Sequence, residues 1–497
     1  MSYVLALDAG SSSVRAGLFD EHGNLVEDSI TQISFELTVD EGGVAQVSAA
    51  RVRELLEEAV DRTLASRPLR EGDISVVGVS TYWHSLVALD AEARPISPLF
   101  SWADTRSAPQ ALMLRLRLDA SAVHQRTGCI IHPSYLPAKI AWLGEERPDI
   151  LDRATHLVSL AQYCTGVWLG SFESSVSMAS GSGLLHLRRC DWDDELLEVL
   201  GIPREQLGAI VGEPEMLPPV TEAYARRWPA LAGVPWRAPI GDGAASNVGI
   251  GCVGRDRISL MVGTSGAMRR IEADAFDERI PDGLWRYLLD RRYAVTGGAL
   301  SEGGNVYAWL NNTLRLPDED ERERALASRP AATHGLIIVP HWTGERATGW
   351  VGDATAVIAG LKLHTDPLDI YQASLEAVAY EFAGVHDRLA RGGEMIIATG
   401  GGLRHSPAWL QIMADAIGVE IVTASVDEAS LRGAALMALR DSGQLADGRL
   451  RESTLDGVTY PRNEAHEVHR QTRELQRMLY EREVGENGVN LLARQTR

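Results

Sequence analysis

The sequence predicts an α/β fold of two related domains, on three observations. Apolar, strand-like runs alternate with segments of helical period along most of the chain. A strand, a Gly/Ser/Thr-rich turn and a second strand occur together near residue 8 and again near residue 264. The 497 residues are also too many for one core, which points to units of roughly 200–250 residues each.

The elements follow in order. Tyr3–Leu7 and Arg15–Asp20 read as strands flanking Asp8-Ala9-Gly10-Ser11-Ser12-Ser13, and Glu21–Asn24 as the turn before a third short strand at Leu25-Val26. Residues 48–66 carry Val52, Leu55, Leu56, Ala59, Val60 and Thr63 at helical spacing, with Ser48 as N-cap. Ile74–Val79 is a continuous apolar strand of the kind buried on both faces. Residues 100–235 are irregular, rich in Trp and Pro, and suited to building a pocket.

Strand grammar returns at Ala238–Ile240, followed by Gly241-Asp242-Gly243 and a small-residue helix, Ala244–Gly251. Ile258–Val262 and Ala267–Ile271 then flank Gly263-Thr264-Ser265-Gly266. After the strand Leu336–Pro340 comes a long helix, Asp369–Arg391, and the strand Glu394–Thr399, stopped by Gly400-Gly401-Gly402. A helix from Pro407 to Ile417, a strand at Val419–Val422, a second small-residue helix at Ser430–Arg440 and a charged amphipathic helix over 463–483 complete the chain.

Composition narrows the partners. A formal net charge of −20 argues against nucleic acid or an anionic membrane surface. Cys129, Cys164, Cys190 and Cys252 form no CxxC pair, and neither a signal segment nor an apolar run of about 18 residues exists, so a reducing cytoplasmic setting is expected. Only Lys139 and Lys362 among 48 basic residues are lysine, a bias that GC-rich codon usage explains.

The chemistry gathers in the turns. Glycine lets backbone approach a phosphate closely, and Ser/Thr hydroxyls with free N–H groups donate to it. One such turn after a strand reads first as an ordinary hairpin; three, at 8–13, 263–266 and 399–402, point to phosphate. There is no G-x4-G-K-[ST] segment and no G-x-G-x-x-G opening a helix, so neither a P-loop nor a dinucleotide fold is expected. Asp8 and Asp242 each stand at a strand end beside glycine. Such a carboxylate can hold Mg2+ through water, take a proton from a hydroxyl, or cap a turn.

These stretches resemble the FGGY sugar kinases, within the actin/hexokinase-like (ribonuclease H-like) fold with its interdomain cleft. Residues 7–15 look like the first phosphate loop, Gly241–Ala244 like the segment of the catalytic aspartate, Gly263–Gly266 like the second phosphate loop, and Ala398–Gly402 with Trp409-Leu410-Gln411 like the nucleoside-binding segment. Ala356–Glu376 fits the family's C-terminal signature throughout, and the signature around Lys139–Leu143 fits except at Leu136. Within the family, Trp83–Leu86, Ser101–Ser107, Ile131–Pro133, Ser180–Leu184 with Asp191-Trp192, Gly344-Glu345-Arg346 and Asn463–Val468 are similar to gluconate kinases. Trp83 stands where many such kinases have a smaller residue, and Gly243 where pentulose kinases carry an amide.

The resemblance implies an N-terminal domain over 1–245, a nucleotide-binding domain over 246–460 and a helical tail over 461–497. It implies transfer of the γ-phosphoryl group of ATP, with Mg2+, to a sugar or sugar acid, D-gluconate first. A pentulose such as xylulose, or a polyol, is the alternative, and a non-catalytic sugar sensor on the same fold the alternative of another class. Asp242 would be the base, and Asp8 with Asp242 the metal-side carboxylates. ATP would meet Ser11, Ser12, Ser13, Arg15, Gly263, Thr264, Gly304, Gly401 and Gly402. The sugar would meet Trp83, His84, Trp102, Asp104, Arg106, Ser134 and Asp242. For a substrate carboxylate, Arg106, His84 and His132 are the candidate donors, while Arg346 would brace the cleft by ion pairing. A homodimer is an open expectation.

Overall fold

The computed structural model describes residues 2–276, 278–445, 450 and 453–484. Two seven-stranded sheets carry the chain. In the first, Tyr3–Ala9 is central, antiparallel to Ser13–Phe19 and parallel to Ile74–Thr81. Thr31–Ser34 extends it on one side, with Ile240–Gly241, Trp236–Arg237 and Met216–Leu217 on the other. In the second, Arg257–Val262 takes the central place, antiparallel to Gly266–Ala273 and parallel to Met395–Thr399. Tyr293–Leu300 and Trp285–Leu288 lie beyond the antiparallel neighbour, Ile421–Ala424 and Leu455–Thr459 beyond the parallel one. The repeat in the sequence is therefore one of topology: three antiparallel strands, then parallel strands reached through crossovers.

Local chemistry accounts for the element ends. Ser48 accepts a hydrogen bond from the Arg51 amide at 3.3 Å and opens the helix Ala49–Ala65, a cap worth about 1 kcal/mol. Asp366 caps the long helix Pro367–Leu389 in a reciprocal box with Asp369, so that helix starts two residues before its expected position. Leu25 makes only an isolated bridge to Phe19. The third strand is Thr31–Ser34 instead, because Ser29 folds back to bond the Leu18 and Val26 carbonyls and turns the chain first. The region 100–235 is about half helical, in short helices joined by loops, and its core is shared with Ile280, Leu288 and Ala294 of the second half.

The two small-residue helices, Asp242–Gly249 and Ala429–Asp441, pack directly on each other. A Cβ on Gly433 would lie 1.8 Å from the Ala245 carbonyl oxygen, and one on Gly249 would lie 1.9 Å from that of Ala429. Helix Ala429–Asp441 also lies against Tyr3–Ala9 and Ile74–Thr81, where Gly78 admits the Ala434 carbonyl. Small side chains thus let backbones touch where the two halves join. The tail helix is Asn463–Glu483, with His469, Thr472, Gln476 and Leu479 buried and its charges outward; residues 485–497 of the expected tail lie outside the described residues. No helix among the described residues is long and apolar enough to cross a membrane.

Candidate active site

The first hydroxyl-rich turn is a tight hairpin, closed by the Gly10 amide donating to the Ser13 carbonyl at 2.9 Å. It leaves Ser12 exposed and Ser11 half-buried, while Ser13 is already buried in the next strand. Asp8, opposite Arg15 in the register, is buried. Its carboxylate accepts from the Ser80 hydroxyl and, at 3.0 Å, from that of Ser430. Burial pushes its pKa up, and Arg15, Ser80 and Ser430 oppose that. Arg15 approaches Asp8 at 3.8 Å but bonds Glu428 at 2.9 Å, so most of its charge is spent on Glu428.

The second turn is built from close backbone contacts. The Gly263 amide donates to the Ser265 carbonyl at 3.0 Å, and Thr264 is exposed. The Gly304 amide, at the start of helix Gly304–Thr313, donates to the Gly263 carbonyl at 2.7 Å. A Cβ on Gly304 would sit 2.7 Å from that oxygen, and one on Gly400, at φ +99°, would sit 2.3 Å from the Val262 carbonyl. Gly402 packs on Val262 as well, and Gly401 stays exposed. Three glycine segments far apart in sequence therefore meet at the C-terminal end of the central strand Arg257–Val262, where α/β sheets bind ligands.

A cavity of about 140 Å³ lies between the turns. Ser11 reaches it from the first and Ser265 and Gly266 from the second, and Trp83, His84, Trp102 and Asp242 line it. Asp242 opens helix Asp242–Gly249, and its carboxylate accepts from the Gly243 amide at 2.7 Å. Burial and then the nearby Asp8 raise its pKa to about 6, against Arg269, the Gly243 amide and Arg346. The flanking glycines have separate reasons. A Cβ on Gly241 would fall 1.8 Å from the Trp83 ring, and one on Gly243 would fall 2.8 Å from the Arg269 guanidinium. The bulky Trp83 is thus admitted by Gly241, with Gly181 on its other side, and is held by a bond from its indole to the Ser177 carbonyl at 3.0 Å. His84, at φ +64°, donates from Nδ1 to the Gly181 carbonyl at 2.5 Å.

Asp104, Arg106 and Ser134 are not brought to the cavity. Arg106 closes on Asp104 at 2.6 Å, bonds Gln46 at 2.7 Å and lies 4.8 Å from the centre of the Trp142 ring. Asp104 also accepts from the Ala45 amide at 3.1 Å. Ser134 shares a 3.1 Å hydrogen bond with His132, and the Pro133 and Ser134 carbonyls accept from Lys139 at 2.5 and 2.8 Å. His84 and His132 are held neutral, because burial and then Arg346 push their pKa values well down.

Sequence reasoning missed Arg269, Tyr82, Trp285 and Tyr287, all of which line the cavity. The Trp285 and Tyr287 rings stack at 4.1 Å. They alternate on the strand Trp285–Leu288, a period-two signal that is legible once that strand is recognised. The Arg269 Nε, Arg346 Nε, Tyr82 hydroxyl and Trp285 indole N–H are all buried without a hydrogen-bond partner among the described residues. Neither Arg269 nor Arg346 has a carboxylate in ion-pairing distance among the described residues, so Arg346 does not brace the cleft by ion pairing as expected; burial leaves its Nε without a partner among them, and it lies over Trp102 at 5.0 Å. Burial pulls the Arg269 pKa down, with Asp242 opposing. Unpartnered donors around a small cavity are donors for a polar ligand.

Residues 3–249 match the N-terminal domain of the FGGY family of carbohydrate kinases, and residues 258–442 match its C-terminal domain. The chain belongs to the FGGY family of carbohydrate kinases. It is 29% identical over 482 residues to a gluconokinase of Bacillus subtilis (strain 168), with 92% of this chain and 91% of the relative covered. In fold it is similar to a ligand-bound xylulose kinase from Lactobacillus acidophilus, at a TM-score of 0.89 and 23% identity over 98% of this chain and 99% of that one. A gluconate kinase from the same organism matches at a TM-score of 0.87 and 23% identity, with the same coverage. The fold is thus the two-domain, ribonuclease H-like architecture of the FGGY kinases, members of which take their phosphoryl group from ATP.

Proposed function

We propose that this FGGY kinase phosphorylates a sugar acid, D-gluconate to 6-phosphogluconate. The observation that carries the reading is the pair Arg269 and Arg346, two guanidinium groups without carboxylate partners that line the cavity holding Asp242. A neutral sugar leaves these charges unmatched, whereas a substrate carboxylate takes charge-assisted hydrogen bonds from them. The likeness to a gluconokinase supports the same reading.

Asp242 takes the proton of the acceptor hydroxyl. Its pKa of about 6 leaves it ionised yet basic near neutral pH. Ser11 and Thr264, on facing turns, donate to phosphate oxygens, and Gly304 and Gly402 keep the backbone beside them open to the nucleotide. Trp83 and Trp102 offer apolar faces to sugar C–H groups, and His84, neutral, accepts from a hydroxyl. The donor set also fits a divalent ion. Asp8 and Asp242 repel each other enough to raise Asp242, and among the described residues Asp242 accepts one hydrogen bond, from the Gly243 amide. Mg2+ held there through water would neutralise charge on the phosphates.

The test is a kinase assay with gluconate, xylulose and glycerol on the wild type and on Arg269→Met. Gluconate is expected to be the best substrate. The variant should lose about 10–100-fold in kcat/KM for gluconate and clearly less for neutral acceptors, which share only the rise in the Asp242 pKa that follows loss of the Arg269 charge. Turnover of xylulose or glycerol without gluconate would sink the assignment.

A further inference from the structure

A second cluster of ligating side chains lies beside the catalytic cavity. The ligand atoms of His341, Glu345 and Glu381 all lie within 4.8 Å of one another. His341 is 2% exposed, and both of its ring nitrogens are buried without a hydrogen-bond partner among the described residues. Glu345 is buried and Glu381 half-buried. No arginine or lysine ion-pairs with either carboxylate among the described residues, and no hydrogen bond joins them to His341. Burial raises Glu345, and raises Glu381 to about 8 with Glu345 and Glu302 adding their repulsion and Arg473 and Arg388 opposing it. An imidazole with no partner, facing two carboxylates with no counter-ion, is a donor set without its cation.

We infer that His341, Glu345 and Glu381 bind one divalent transition-metal ion of the zinc or manganese kind. Bonds of about 2.0–2.2 Å from a central ion span the gaps between these atoms with small side-chain adjustments. The imidazole selects a transition metal over Mg2+, which prefers an all-oxygen shell. Access is from the surface, through a cavity of about 670 Å³ between the long helix and the tail helix, lined by Glu345, Glu381, Arg388, Arg473 and Tyr480. Tyr480 donates to Glu345 at 2.7 Å, and its ring meets His341 edge-on at 5.6 Å. Glu345 also accepts from the Gly349 amide at 2.7 Å and immediately precedes Arg346. The ion therefore braces the segment that delivers Arg346 to the catalytic cavity and ties the tail helix to it. It is a positioning site, separate from the carboxylates Asp8 and Asp242.

Tag-free protein, stripped with a chelator and kept free of nucleotide, is titrated calorimetrically with Zn2+, Mn2+ and Mg2+. One equivalent of Zn2+ or Mn2+ should bind, about ten-fold or more tightly than Mg2+. His341→Gln and Glu381→Gln should each weaken it by about 10–100-fold. Glu381→Gln replaces one oxygen by an amide of the same shape, so it serves if His341→Gln misfolds. Wild-type crystals soaked in Zn2+ and measured at the zinc edge locate the ion without any variant. No saturable binding, binding unchanged in both variants, or an anomalous peak only elsewhere overturns the proposal.

Discussion

The two hydroxyl-rich turns occupy the same place in two sheets of the same topology, yet they are built from different materials. The turn at 8–13 is organised by charge: Asp8, Arg15 and Glu428 surround it, and Ser80 and Ser430 bond the carboxylate. The turn at 263–266 is organised by space: Gly304 and Gly400 press backbone against Val262 and Gly263 with no room for a Cβ, and Gly402 packs tightly on Val262. Where Asp8 stands two residues before its turn glycine, the second turn has Met261. A duplicated scaffold can thus be built in two ways, one copy from buried carboxylates and their partners and the other from closely packed backbone.

That comparison can be broken from either side. The largest effect is expected from Asp242→Asn, the carboxylate facing the charged turn. Turnover should fall by about 10²–10⁴-fold while sugar binding, followed by calorimetry, persists. In the wild type a base must be unprotonated, so kcat/KM should fall as pH drops through about 6; a profile flat down to pH 5 would remove Asp242 from that role. Asp8→Asn keeps the hydrogen bonds of Ser80 and Ser430 within reach but removes the charge. A loss of about 10–100-fold in kcat, with the Asp242 limb of the pH profile moved to lower pH because its raising neighbour is gone, sharpens the charge argument.

On the other side, Gly400→Ala places a side chain at φ +99° against the Val262 carbonyl. It should cost about 1–2 kcal/mol in a denaturant melt from the backbone alone and raise KM for ATP more than KM for the sugar. The smallest effect is expected for Ser12→Ala in the charged turn. Its side chain is exposed and has no hydrogen bond within the protein, so stability should move by no more than about 0.5 kcal/mol. A change in KM for ATP there would measure what the hydroxyl gives to phosphate.

The parts legible in advance were those that a local rule governs. Ser48 as a cap and glycines where strands end follow from backbone geometry, so most strands, the long helices and the three glycine turns could be placed from sequence, although the helix expected from Asp369 begins at Pro367, where the box between Asp366 and Asp369 opens it. Asp242 could be singled out too, because it stands between two glycines at a strand end. The third strand could not, since its start depends on Ser29 turning back to the Leu18 and Val26 carbonyls.

The sequence by itself determined the alternation of strands and helices, the duplicated turn and the net negative charge, because each resides in neighbours along the chain or in a sum over it. Only the tertiary structure decided which charges are spent and which are free. Arg106 is consumed by Asp104, and Arg15 by Glu428 from more than four hundred residues away. Arg269 and Arg346 are left facing Asp242, and His341 is left facing Glu345 and Glu381. An ion pair acts over a few ångströms of space, not over a spacing in sequence, so the assignment of partners waits on the packing that brings them together.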